Sequence, residues 1–182
     1  QIEKKPYATS GQIGGTARTA ETLTIPAAGV LNLEEGTISV WFNPLPGFWN
    51  SNYNGIVVHS TSVNANLISL TRLAGTNNIA FNITNTSSQP MGASWGYCAS
   101  TTEVEPYNWY HLVVRWSKSQ GKMALFVNGI KESEKYLDPA FMPSVYGNIG
   151  IGCHGNYLDR ESNSIIDELR IDKIARTDAE IA

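Results

Sequence analysis

The chain has 182 residues, with 13 Lys and Arg against 16 Asp and Glu, a formal charge of −3. Charged residues make up only 16%, below the usual quarter of a globular chain, and 42% are hydrophobic, so disorder is excluded. No basic run offers the footprint of a nucleic-acid binder, and no apolar stretch of about 18 residues suits a membrane helix, so neither nucleic acid nor membrane insertion is expected.

In chain order, apolar residues alternate with period two in short runs separated by turn residues. The predicted strands are 22–25, 36–43, 55–60, 66–73, 78–84, 97–100, 109–117, 122–127, 147–152 and 164–171. Asn128-Gly129 follows a strongly alternating run and reads as a tight hairpin turn. The one helical signal lies at the end, where Thr177 and Glu180 have capping-box spacing. Many short strands and almost no helix predict an all-β, two-sheet antiparallel sandwich or jelly roll. Residues 1–182 form a single domain, expected to be a module of a larger protein, since the chain begins at Gln1 without Met or a signal segment.

Alternation sorts the side chains into two faces. Ile38, Val40 and Phe42, then Tyr110, Leu112, Val114 and Trp116, then Met123, Leu125 and Val127 form purely apolar sets that should be buried. The intervening sets, including Ser39, Trp41, Trp109, His111, Arg115 and Phe126, are mixed and should line an outer face. Trp41, Trp109 and Trp116 are nonetheless expected to be packing residues, because strand tryptophans are commonly buried. His111 and Arg115 share a predicted outer face, where stacking and hydrogen bonding beneath a covering segment is the preferred reading.

Four regions resemble the concanavalin A-like jelly rolls of the laminin-G-like, or pentraxin-like, branch. They are 31–42 (LNLEEGTISVWF), 109–114 (WYHLVV), 125–129 (LFVNG), and 166–171 (IDELRI) followed by 175–181 (ARTDAEI). The resemblance implies a concanavalin A-like fold, an architecture that hosts lectins, carbohydrate-binding modules, adhesion domains and glycanases. It also implies a structural Ca²⁺ at Asp167, because an aspartate at this place in the family often ligates calcium. The residues leave two solutions open. Asp167 alternates with Ile165, Leu169 and Ile171, so it should turn inward and need either a cation or several donors.

Candidate ligand-contacting residues cluster in Gly-, Asn- and Ser-rich loops. They are Trp49 and Tyr53, Trp95 and Tyr97, and His154, Tyr157, Asp159 and Arg160. An aromatic ring can cover the C–H face of a sugar while amides and charged groups bond its hydroxyls. The acids Asp167, Glu168 and Asp172 lack the alternation that places two carboxylates on one face for glycoside cleavage, so no enzyme is expected. Cys98 and Cys153 could pair or remain separate buried thiols. The expectation is a non-catalytic, lectin-like module of an extracellular protein that binds an oligo- or polysaccharide. An adhesion or assembly module that contacts protein, as in a phage tail or cell surface, is the alternative.

Overall fold

The structure, a computed structural model, describes residues 23–46, 54–62, 65–85, 97–153 and 162–182. Its strands are β1 (Leu23–Pro26), β2 (Glu35–Pro44), β3 (Gly55–Ser60), β4 (Leu67–Arg72), β5 (Asn78–Thr84), β6 (Tyr97–Glu103), β7 (Tyr110–Ser117), β8 (Lys122–Val127), β9 (Ile130–Tyr136), β10 (Asn148–Ile151) and β11 (Ser164–Asp172), with a terminal helical turn α1 (Asp178–Ile181). They form a six-stranded sheet, β1-β10-β3-β4-β5-β6, packed on a five-stranded sheet, β11-β2-β7-β8-β9. All pairings are antiparallel. The all-β sandwich read from the alternation is therefore the fold.

The three apolar sets go where period two sends them. Val40, Phe42, Leu112, Val114, Trp116 and Leu125 are completely buried between the sheets. From the six-stranded sheet, Ile68, Leu70, Ile79 and Phe81 meet them, and the Phe81 and Trp116 rings sit tilted with centroids 6.3 Å apart. Gly36 is required beneath this indole, since a Cβ there would strike the Trp116 ring. Truncating one such aromatic costs about 3–5 kcal/mol.

Strand β9 escaped the sequence reading although the Asn128-Gly129 turn was recognised. Its sequence IKESEKY carries few apolar residues and is mostly exposed, because it is an edge strand held by backbone pairing to β8. Glu132 ties this edge to the other sheet. Its carboxylate accepts hydrogen bonds from the backbone N–H groups of Thr101 (2.7 Å) and Thr102 (3.0 Å) in β6.

The reading of β11 needs revision, and the cysteines resolve to one of their two alternatives. A bulge between Asp167 and Arg170, with Glu168 at φ 49°, advances the phase of the strand by one residue. Ile166, Leu169 and Ile171 therefore pack against the core, whereas Ile165 is 48% exposed and Asp167 faces outward. Cys98 and Cys153 are both buried thiols, not a disulfide. Cys98 is in β6, and Cys153 follows β10, four strands away in the same sheet, about 19 Å at the usual strand spacing.

Candidate functional site

The outer face of the five-stranded sheet is built in cross-strand rows, because antiparallel partners point the same way. One row carries Asp167, Trp41 and His111 from β11, β2 and β7. The next, toward the chain end, carries Arg170, Ser39, Val113 and Phe126, and the one beyond it Asp172, Thr37, Arg115, Ala124 and Glu134. Trp109 precedes β7 and stands two residues from His111 on the same side.

The C-terminal segment covers the later rows and stops short of the first. Thr37 Oγ1 donates to the Ile174 carbonyl (2.9 Å) and accepts from the Arg176 N–H (2.9 Å). Arg115 donates to the Arg176 carbonyl (2.8 Å), pairs with Asp178 (2.6 Å), and lies over the Phe126 ring at 5.3 Å. Ile181 closes an apolar patch with Val113, Ala124 and Phe126. The capping box read from the sequence is present: the Glu180 carboxylate accepts from the Thr177 N–H (2.8 Å) and hydroxyl (2.8 Å). Those bonds and Arg176 hold the Glu180 carboxyl down to about 2. The covering role expected for Arg115 is thus met by this strap, while His111 lies at its margin.

Beyond the strap the described residues leave the sheet open. Trp41 is 38% and Trp109 45% exposed, which corrects the expectation that both are core; among the three strand tryptophans only Trp116 is. Together with Asp167 and Glu168 they line an open cleft of about 210 Å3. The Trp41 ring is fixed from behind by stacking on His111, centroids 5.1 Å apart, and His111 Nε2 is 3.0 Å from Ser39 Oγ. Burial lowers the His111 pKa, opposed in part by the Glu168 charge, which favours the uncharged ring. A second cavity of about 250 Å3 lies beside it, between His111, Ser39 and the strap residues Arg176 and Ile181.

Asp167 accepts a hydrogen bond from the Glu168 N–H (2.8 Å), and both side chains are exposed. The buried carboxylate that would have demanded a cation is therefore not buried. Among the described residues no three His, Cys, Asp or Glu side chains gather as a metal site.

Tyr97 begins β6, where it is half-buried opposite Asn82 on the outer face of the other sheet, away from Trp41 and Trp109. Trp49, Tyr53, Trp95, His154, Tyr157, Asp159 and Arg160 lie outside the described residues. The strands that flank their segments are placed, however. Leu45 donates to the Asn163 carbonyl (2.9 Å) and Gly152 to that of Ile56 (2.8 Å), so these four described residues lie at one end of the sandwich. Thr84 and Tyr97, which flank 86–96, pair near Leu67 and Asn82 at the opposite end. The Tyr107 N–H bonds the Pro44 carbonyl (2.8 Å), placing the Trp109 approach at the first of these ends. The signal for Trp41 and Trp109 was present in their mixed alternation sets; Glu168 carried none, because the bulge that presents it leaves no periodic trace.

Comparison with known proteins agrees with this architecture. A model of the Laminin_G_3 family, in the concanavalin A-like lectin/glucanases superfamily, matches residues 17–182, and the chain belongs to that family. No curated protein sequence matches it significantly. Among solved structures it is similar to a heptameric SAP-like pentraxin from Limulus polyphemus, with TM-score 0.57, 20% identity, and 81% of this chain and 68% of that one covered. It is similar to a putative carbohydrate-binding protein from Bacteroides ovatus (TM-score 0.64, 16% identity), covering 88% of this chain but only 43% of that one. It is also similar to domain 4 of AbnA, a GH43 extracellular arabinanase from Geobacillus stearothermophilus, in complex with arabinotriose (TM-score 0.61, 17% identity, 88% and 70% covered). At these identities the likeness concerns the fold.

Proposed function

We propose that this domain is a non-catalytic carbohydrate-binding module of an extracellular protein, and that it holds an oligosaccharide across the open half of the five-stranded sheet. The observation that carries the reading is the pair of solvent-exposed tryptophans, Trp41 and Trp109, lining one cleft with two carboxylates. Indole rings this exposed are uncommon on a folded domain, and here Trp41 stands within β2 while Trp109 immediately precedes β7. A pyranose can lay its C–H face on them while Asp167 and Glu168 accept from its hydroxyls. The likeness to the putative Bacteroides carbohydrate-binding protein and to the arabinotriose-bound domain supports this choice within a fold of many uses.

The cleft is shallow, so binding is weak, with Kd above about 10 µM once ordering and desolvation costs are met. A glycan array followed by calorimetric titration tests the reading. Trp41→Ala and Trp109→Ala should each weaken binding about ten- to thirtyfold, or about 1.4–2 kcal/mol, while leaving the melting temperature within a few degrees. Absence of glycan binding at millimolar concentration, or full affinity in both variants, would refute it. Release of products from the bound polysaccharide would overturn the non-catalytic part alone.

A further inference from the structure

We propose that this cleft selects glycans that carry a protonated amine, amino sugars left without their acetyl group, over neutral and uronate-bearing glycans. The inference rests on the carbohydrate reading above and specifies its ligand class. All four residues lining the cleft favour a cation: Asp167 and Glu168 supply two negative charges, and Trp41 and Trp109 supply ring faces that attract ammonium groups. Arg170, the nearest cation along β11, is engaged by Asp172 at 3.0 Å, and among the described residues no ion pair joins Asp167 or Glu168.

Glu168 is set in this position at a conformational cost. It is a non-glycine residue in the left-handed region, φ 49°, at a bulge that breaks the register of β11. Left-handed backbone is unfavourable for a residue with a Cβ, and bulges recur where a strand must re-aim a side chain. Without the bulge, strict alternation would send the residue after Asp167 into the core; with it, two consecutive carboxylates face the same open cleft. A uronate would meet these charges at short range, inside the screening distance of about 8 Å at physiological salt.

The experiment compares three tetrasaccharides at pH 6 by calorimetry: fully deacetylated glucosamine, its N-acetylated counterpart, and galacturonate. The expected order is the amine at least tenfold tighter than the acetamide, with no galacturonate binding at the same concentrations. Glu168→Gln should cut the preference to threefold or less. Glu103→Gln, which removes an equally exposed charge from the other sheet, should leave it intact, and Trp41→Ala should weaken both sugars. Glu168→Gly should lose the preference while melting at a higher temperature, which separates a ligand-selecting residue from one kept for stability. An acetamide bound as tightly as the amine in a Trp41-dependent way would overturn this inference and leave the carbohydrate reading standing. A preference that survives Glu168→Gln, or that Glu103→Gln removes equally, would also overturn it, as would no binding of any of the three; the carbohydrate reading stands or falls on the glycan array.

Discussion

His59 shows how one buried side chain sets a pH limit. It is 1% exposed, and its Nε2 accepts the Gly147 N–H at 3.0 Å. Gly147 cannot be given a side chain, because a Cβ would strike the Ser60 carbonyl, so the imidazole and the β10 backbone are locked together. Burial brings the His59 pKa down from 6.5 to about 4. Between those values the unfolded chain binds the proton and the folded one does not, so stability falls as the pH drops from 6.5 toward 4, by about 3 kcal/mol in all. Urea unfolding should show a loss of about 2 kcal/mol between pH 7 and pH 5 from this residue, and His59→Asn should remove that part of the slope. An unchanged slope in the variant would refute the assignment. His111 is lowered in the same direction by burial and remains as background.

The C-terminal strap is an element whose attachment divides into two kinds of contact. Its ion pairs join Arg115, Lys131, Asp178 and Glu134, and then Arg176, Asp172 and Glu180, at 2.6–3.6 Å. Exposed pairs of this kind contribute about 0–1 kcal/mol each and are screened by salt. Ile181, by contrast, is 7% exposed against Val113, Ala124 and Phe126, and burying such a side chain contributes about 1.5–3 kcal/mol. Ile181→Ala should therefore release the strap, seen as faster amide exchange in 174–182, whereas 0.5 M NaCl should leave it docked. Release by salt with retention in Ile181→Ala would reverse this ranking. The bulge in β11 is the other element with consequences, since it lets Glu168 share the outer face with Asp167 while Leu169 and Ile171 return to the core.

Across the whole molecule, the sandwich needs no covalent staple. Each sheet contributes large side chains to one continuous core, and the two thiols are held four strands apart. The melting temperature should be the same with and without reductant, and Cys98→Ala should cost only what its small buried side chain contributes. A fall in melting temperature on reduction would contradict the strand order. The same architecture fixes which aromatic groups can cooperate. Trp41, Trp109 and Asp167 share one face of the five-stranded sheet. Tyr97 lies on the other sheet, and the anchors of the Trp95 segment are at the far end.

The sandwich, its inward-facing residues and the capped C-terminal turn were all legible in the sequence, because period-two alternation and capping-box spacing are local patterns that survive into three dimensions. The polar edge strand β9 was not, since backbone pairing needs no apolar signature. Nor was the site: Ile38 to Phe42 announce a buried face, but whether the opposite face is covered depends on where residues 174–182 cross it. The strap covers Arg115 and Phe126 and leaves Trp41 and Trp109 in solvent, and a single left-handed residue at Glu168 breaks the alternation that would put Asp167 on the face of Leu169 and Ile171. Contacts between residues more than a hundred positions apart, and one break of register, decided those outcomes; local pattern carries no information about either.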